Sequence, residues 1–495
     1  MKQESITLTK EPSGLAYNPL THFFIRQLLI TFILATFVAK GDGISTGFIF
    51  DQFKLTLEDG FRKEAAGPFY YSQATEGEHL WAIPPFYSSD DNPAVESHTV
   101  EFLYPLFTKI AYGREHRWQF FELINGTSGV NPVDDTTPRR FTIFPLYFQQ
   151  RAVDTNLNYT AVVPFYGRLK HRLFKDEIYF IMFPGYVQTR KRDVVTDNYF
   201  FPFVDVHHGN GLQGWQVWPF AAHEHKELTT VTNGFGDVSS IGGFDHTFYM
   251  WPFYLSQDNN IGTDDPEKFR ASLPFYATLR SPLRDSTSVL WPFFTSIDDR
   301  GRKYHEWQGP WPFVIFTDGE GKHTSRVWPF FSKSHNDVRE TDSYVWPFYV
   351  YTRAHADPLD RQRKRILYYL YSRVSEKNTE TGHEHIRLDM WPFFTWHHDF
   401  NGNERLQVLS ILEPAVPDNP GIENNWSPLW SVWRSEKNPE KRATSQSLLW
   451  NLYRRQTSPT YHKVSVFFGL FQTTTDAGEK TVRLFYLPIV HSHQK

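Results

Sequence analysis

Apolar residues along this chain come in short parcels separated by polar stretches, and the parcels recur. The clearest read Trp251-Pro252-Phe253, Trp291-Pro292-Phe293, Trp311-Pro312-Phe313, Trp328-Pro329-Phe330, Trp346-Pro347-Phe348 and Trp391-Pro392-Phe393. Related cores include Pro85-Phe86, Pro145-Leu146, Pro164-Phe165, Pro202-Phe203 and Pro274-Phe275, so that one core follows another about every 20 residues. Degenerate copies keep the beat at Phe120-Phe121 and Leu367-Tyr368-Tyr369-Leu370. Beyond Trp391 the proline is usually lost, yet Leu409, Leu429-Trp430, Leu449-Trp450, Phe467-Phe468 and Phe485-Tyr486 continue the spacing. A fixed period of this size marks a repeat array or a regular β meander.

Each parcel predicts a strand or strand pair. Ser343 to Arg353, SYVWPFYVYTR, is rich in aromatic and β-branched residues and has no 3.6-residue apolar spacing. Stretches such as Asp318-Gly319-Glu320-Gly321 and Ser334-His335-Asn336-Asp337 supply turn chemistry between cores. The expected fold is all-β: an antiparallel meander of about twenty repeated strand or hairpin units. With the core at mid-strand, alternation puts Trp346 and Phe348 on one face and Val345 and Tyr349 on the other, so both faces need cover. The recurring proline removes a ladder donor and predicts a bend, bulge or strand boundary at the same row of each unit. Barrel-like closure, an open solenoid or sandwich, and propeller blades all satisfy this pattern. An outer-membrane barrel explains the prolines poorly.

One segment has the character of a targeting element. Leu28 to Ala39, LLITFILATFVA, is too short for a spanning helix and suits a signal h-region, preceded by Arg26 and followed by Lys40-Gly41-Asp42. The expected organisation is a signal peptide or N-terminal anchor over 1–41, a lead-in over 42–60 and a single β-repeat domain over 61–495.

Composition narrows the function classes. Aromatics make up 17% of 495 residues and charged residues 21%, with a net charge of −4. That balance excludes a disordered chain and gives no nucleic-acid-binding surface. The basic runs Arg190-Lys191-Arg192 and Arg361 to Arg365 lie between cores and read as solvated turns. The absence of cysteine excludes disulfides, thiolate metal sites and cysteine nucleophiles.

Candidate chemistry is sparse. His223 and His225, like His383 and His385, alternate so as to share a strand face and offer two imidazoles to a metal, without a visible third or fourth ligand. Acidic turns such as Asp264-Asp265 and Asp399 to Asn403 lack a full calcium-loop signature. A literal Gly-x-Gly-x-x-Gly at Gly209, Gly211 and Gly214 leads into the strand-like Trp215 to Phe220, which predicts a hairpin turn and not a dinucleotide loop. No nucleophile elbow, phosphate loop or His-Glu-x-x-His helix occurs, and no catalytic residue or cofactor is expected.

The units resemble repeats of uncharacterised exported bacterial proteins, in which aliphatic-Pro-Leu/Phe-aromatic cores recur between Asp/Gly-rich turns. The resemblance covers roughly residues 60 to 490 and implies a cell-envelope location with no catalytic residues attached. The expected function is that of an exported, non-enzymatic envelope protein, associated with or embedded in the outer membrane. The alternative is a secreted or periplasmic protein presenting aromatic platforms to polysaccharide, since flat rings stack on sugar faces. A hydrolase hidden in a β scaffold is a third class.

Overall fold

In the computed structural model the described residues are 48–129, 138–232 and 238–493. The apolar segment Leu28 to Ala39 and the boundary at residue 41 lie outside them. The described residues are 61% strand and 4% helical. Forty-three strands form one antiparallel sheet in which each pairs with its successor, from Phe50–Lys54 to Leu487–His493. The sheet thus already begins inside the expected lead-in. A small hairpin of Thr229–Thr232 with Val238–Ile241 stands outside it.

The repeated cores are hairpin turns and not strand centres. Arg284–Val289 enters Leu290-Trp291-Pro292-Phe293, and Phe294–Asp299 leaves it. Arg339–Tyr344 and Tyr349–Ala356 flank Val345 to Phe348 in the same way. This corrects the mid-strand placement and bears out the boundary predicted from the prolines. The carbonyl of Leu290 accepts the Phe293 N–H at 2.9 Å around a cis Trp291-Pro292 bond, the arrangement of a type VI turn. Aromatic residues favour strands in isolation, but proline's missing donor decides the matter here.

Turns alternate in character. The aromatic turns lie along one edge of the meander, and the turns between them, such as Arg300 to Lys303 and Glu320 to Lys322, lie along the other. Leu173-Phe174 is an exception, an exposed apolar turn on the polar edge. Leu429-Trp430, expected to be a repeat core, is instead helical: Pro420–Asn425 and Ser427–Trp430 form the insert that replaces one aromatic turn. The run Arg361 to Arg365 is likewise not a turn but lies within the strand Leu359–Ile366.

Cross-strand register separates the two faces. Beside the aromatic edge, one face carries the row Ala277↔Ser288↔Thr295, continued by Ser332↔Ser343 and by Ser372↔Asp389↔Thr395. These residues are small or polar and, except for the half-buried Thr295, buried. The other face carries Tyr276↔Val289↔Phe294 and Phe331↔Tyr344↔Tyr349, which stay largely in contact with solvent. Crowding on the first face and exposure on the second are what a curled sheet imposes, so the small residues line the concave side. Two glycines lie beneath cross-strand rings: Gly126 under Trp118, and Gly167 between Ala161 and Phe180. The expectation that both faces are apolar does not hold.

Among the described residues no ladder joins the first strand of the sheet to its last strands. Gln456 donates to the carbonyl of Lys54 at 2.6 Å, and Lys463 donates to that of Gln52 at 3.2 Å. The outer edge of the first strand therefore abuts the concave face of the strands Tyr453–Thr457 and Tyr461–Val466. Arg454 pairs with Asp51 at 2.8 Å and with Glu64 at 3.0 Å. The helical insert bridges the same seam: Asn424 accepts from Tyr71 at 2.8 Å, Asn425 donates to Glu101 at 2.6 Å, and Trp426 donates to the carbonyl of Tyr104 at 2.9 Å. At ~4.8 Å per strand the meander has a contour of roughly 200 Å, and it must curl back on itself for these contacts to form. It is not closed into a barrel, and one continuous sheet leaves no separate propeller blades.

Candidate functional site: the aromatic edge

The edge is built turn upon turn. The N–H of Leu290 donates to the carbonyl of Phe275 at 2.7 Å, that of Val345 to Phe330 at 2.6 Å, and that of Trp346 to Pro329 at 2.7 Å. Equivalent bonds tie Phe200 to Gly185, Met250 to Phe220 and Leu409 to Phe393. Each turn is thereby fixed to the one before it, beyond the ladder beneath.

Rings follow the same line. Phe183 and Phe201 have centroids 5.9 Å apart, Phe203 and Trp218 5.8 Å, Trp218 and Trp251 5.9 Å, Phe313 and Trp328 5.5 Å, and Trp328 and Trp346 5.7 Å. Turns two strands apart would stand ~9.6 Å from one another on a flat sheet, so the rings lean together and cover part of each other's faces. Even so, Trp251, Trp291, Trp328 and Trp346 remain 38–47% exposed, and the phenylalanines closing the turns protrude further, Phe275 to 68% and Phe330 to 65%. Trp391 is half-buried, its indole donating to the carbonyl of Ile411 at 3.0 Å in the segment leading to the helical insert. The full set of core residues thus forms one surface: Trp251, Pro252 and Phe253; Trp291, Pro292 and Phe293; Trp328, Pro329 and Phe330; Trp346, Pro347 and Phe348; Trp391, Pro392 and Phe393.

The apolar band is shallow. It comprises the turn and the flanking row of the convex face, a depth of about 7 Å at ~3.3 Å per residue. Further along the strands the convex face mixes charges with rings, as at Lys333, Asp342 and Lys364.

The histidine pairs are placed separately. His223 and His225 share a face, as alternation predicts, and both turn their Nδ1 toward Asp245, at 3.9 and 3.2 Å; His223 also meets Thr247 at 3.0 Å. His385 packs by Glu376 and Phe400, whereas His383 belongs to the turn before its strand. Among the described residues no group of three or more histidines and acids is arranged to hold a metal ion. Gly209, Gly211 and Gly214 form and flank the hairpin between Val204–Gly209 and Leu212–Val217, with Gly209 and Gly211 at positive φ.

Sequence reasoning missed the buried polar cluster at the seam. The Tyr71 hydroxyl is pushed up to about 12 by burial, chiefly, with nearby arginines opposing. Burial also lowers the Lys463 ammonium, with Asp51 opposing that shift. Glu413 accepts from Gln407, Ser410, Ser427 and Trp430, and Arg387 is held by Asp389 and Asp418, which together root the insert. No protein-family model matches the chain, and no curated protein matches it. No helix among the described residues is long and apolar enough to cross a membrane.

Proposed function

We propose that this is an exported, non-enzymatic envelope protein that seats on a membrane surface by its aromatic edge. The observation that carries the reading is the exposure of turn after turn of Phe, Trp, Tyr and Leu along one edge, opposite an edge of mostly polar turns. Isolated exposed apolar residues are ordinary, but a contiguous row of them marks an interaction site.

Depth argues for the surface of a bilayer and against a spanning wall. A transmembrane barrel needs an apolar belt of ~25 Å, whereas interfacial elements bury their apolar side only ~5–10 Å. Tryptophan and tyrosine suit that level, having an apolar body and a polar tip. Fully burying one such side chain stabilises by about 1.5–3 kcal/mol, so a row of half-buried tips reaches on the order of 10 kcal/mol. Polysaccharide stacking is the weaker reading, because neighbouring rings already cover part of the faces a sugar would use.

The test is quenching of tryptophan fluorescence in the full chain by vesicles of brominated phosphatidylcholine, with Phe253→Ser, Phe293→Ser, Phe330→Ser and Phe348→Ser combined as the comparison. Strong quenching that the combined variant loses supports the edge. Quenching that it retains would mean the chain is held elsewhere, including by its N-terminal apolar segment.

A further inference from the structure

The hairpin of Leu359–Ile366 and Tyr371–Asn378 differs from its neighbours. Its tip, Leu367-Tyr368-Tyr369-Leu370, is apolar and exposed like the other turns. Its shoulders are basic. Arg361, Arg363 and Arg365 alternate onto the concave face, while Lys364 and Arg373 stand opposite one another on the convex face. Arg361 has a carboxylate, Glu376, at 3.0 Å. Among the described residues Arg363, Lys364, Arg365 and Arg373 have none.

Two further observations show that this charge is uncompensated. The Nε of Arg363 is buried without a hydrogen-bond partner. Burial, followed by the guanidinium groups of Arg365 and Arg361, holds the Arg363 pKa below the ordinary arginine value. The acid nearby on the concave face, Asp389, is engaged by Arg387 and Thr395. Lys364 has only the Tyr351 ring, 5.8 Å from its ammonium. Like charges directly opposed across a ladder are destabilising, and an anion bound between them reverses the sign.

Height above the edge identifies the anion. Arg365 adjoins Ile366, the last strand residue before the tip, and the other three cations lie within one further pleat. At ~3.3 Å per residue this puts their backbones about 7–13 Å behind the apolar turn, so that side chains of this length reach the ~5–10 Å level at which headgroups meet an interfacially seated apolar tip. A site for a soluble anion has no need of an apolar tip, nor of cations straddling both faces of the same hairpin.

We propose that this hairpin binds the phosphate headgroups of anionic lipid, through Arg363 and Arg365 on the concave side and Lys364 and Arg373 on the convex side. The proposal rests on the aromatic edge seating on lipid. The full chain is sedimented with vesicles of phosphatidylcholine alone and of phosphatidylcholine mixed with phosphatidylglycerol. About tenfold tighter binding to the mixture is expected, and Arg363→Gln, Lys364→Gln, Arg365→Gln and Arg373→Gln combined should bring it to the phosphatidylcholine level. Lys175→Gln, Arg190→Gln, Lys191→Gln and Arg192→Gln, an equal loss of charge at the polar edge, should keep the preference, as should circular dichroism the sheet in both variants. A wild type that binds both vesicles equally, or a first variant that keeps the preference, overturns the headgroup site and leaves the edge standing. Binding to neither vesicle overturns the edge itself. Loss of the preference on adding inorganic phosphate assigns the cations to a soluble anion and overturns the lipid assignment.

Discussion

Lys463, with no solvent exposure, places its ammonium 3.4 Å from the Asp51 carboxylate across the seam that joins the last strands to the first. Arg454, also buried, joins the group through Asp51 and Glu64. Removing one member of a buried ion cluster leaves the others uncompensated and typically costs about 3–5 kcal/mol, whereas replacing the set with apolar residues of similar volume restores much of it. Asp51→Ala should therefore lower the urea midpoint far more than Asp51→Leu combined with Lys463→Met and Arg454→Met, in which Glu64 keeps Arg62 as its partner. Equal losses in the two would mean that the charges contribute little to holding the ends.

The seam is also open to direct measurement. Lys441 and Asp59 form an exposed ion pair across it at 2.8 Å, and the chain has no cysteine to interfere. Asp59→Cys with Lys441→Cys should react with a short bismaleimide to give an internally cross-linked monomer of altered gel mobility. Gly421 faces the Tyr104 ring, where an added Cβ would lie 2.5 Å from it. Gly421→Val on the same background should reduce the cross-linked fraction, because the insert can no longer sit on the N-terminal turns.

At the polar edge, burial and then the Asp90 carboxylate push Glu78 up from 4.5 to about 7. A carboxyl raised in the folded state adds stability that is complete below pH 4.5 and disappears as the pH rises through about 7. Glu78→Gln should consequently be more stable than the wild type above that window, and the advantage should shrink below it. Urea midpoints of the two proteins on either side of the window decide the matter. A difference independent of pH would remove Glu78 from the account.

Gly167 has no room for a side chain: an added Cβ would fall 2.3 Å from that of Ala161 and 2.6 Å from the Phe180 ring. Overpacking of this kind costs about 1–3 kcal/mol, so Gly167→Val should lower the thermal midpoint. Adding Phe180→Leu to Gly167→Val should recover part of that loss by vacating the ring's space. A lack of coupling between the two changes would contradict the packing described.

The period, the antiparallel order and the strand boundary at proline were all legible from Trp291-Pro292-Phe293 and its copies. The position of those residues was misjudged because Trp, Phe and Tyr favour strands, and tertiary register, invisible in a single unit, is what makes them turns. Arg361 to Arg365 misled in the opposite sense, since a run of cations resembles a solvated loop while alternation in a strand hides its two faces. A sharper reading of Asn419-Pro420 was available: Asn419 accepts from the Ile422 N–H at 3.0 Å as an N-cap, with proline following it at the start of the helix. The seam had no such signal. Asp51 and Lys463 are hundreds of residues apart in sequence, and nothing local to either marks the other.

Because successive turns of the meander fall on opposite margins, the fold obeys a rule of parity. Gain or loss of a whole hairpin leaves every later tip on its own side, and the band merely grows longer or shorter. Insertion of a single strand would swing all downstream tips to the opposite side and exchange the roles of the two margins from that point on. Viable length variants of this protein should accordingly differ by even numbers of strands, with the hairpin as the unit of inheritance.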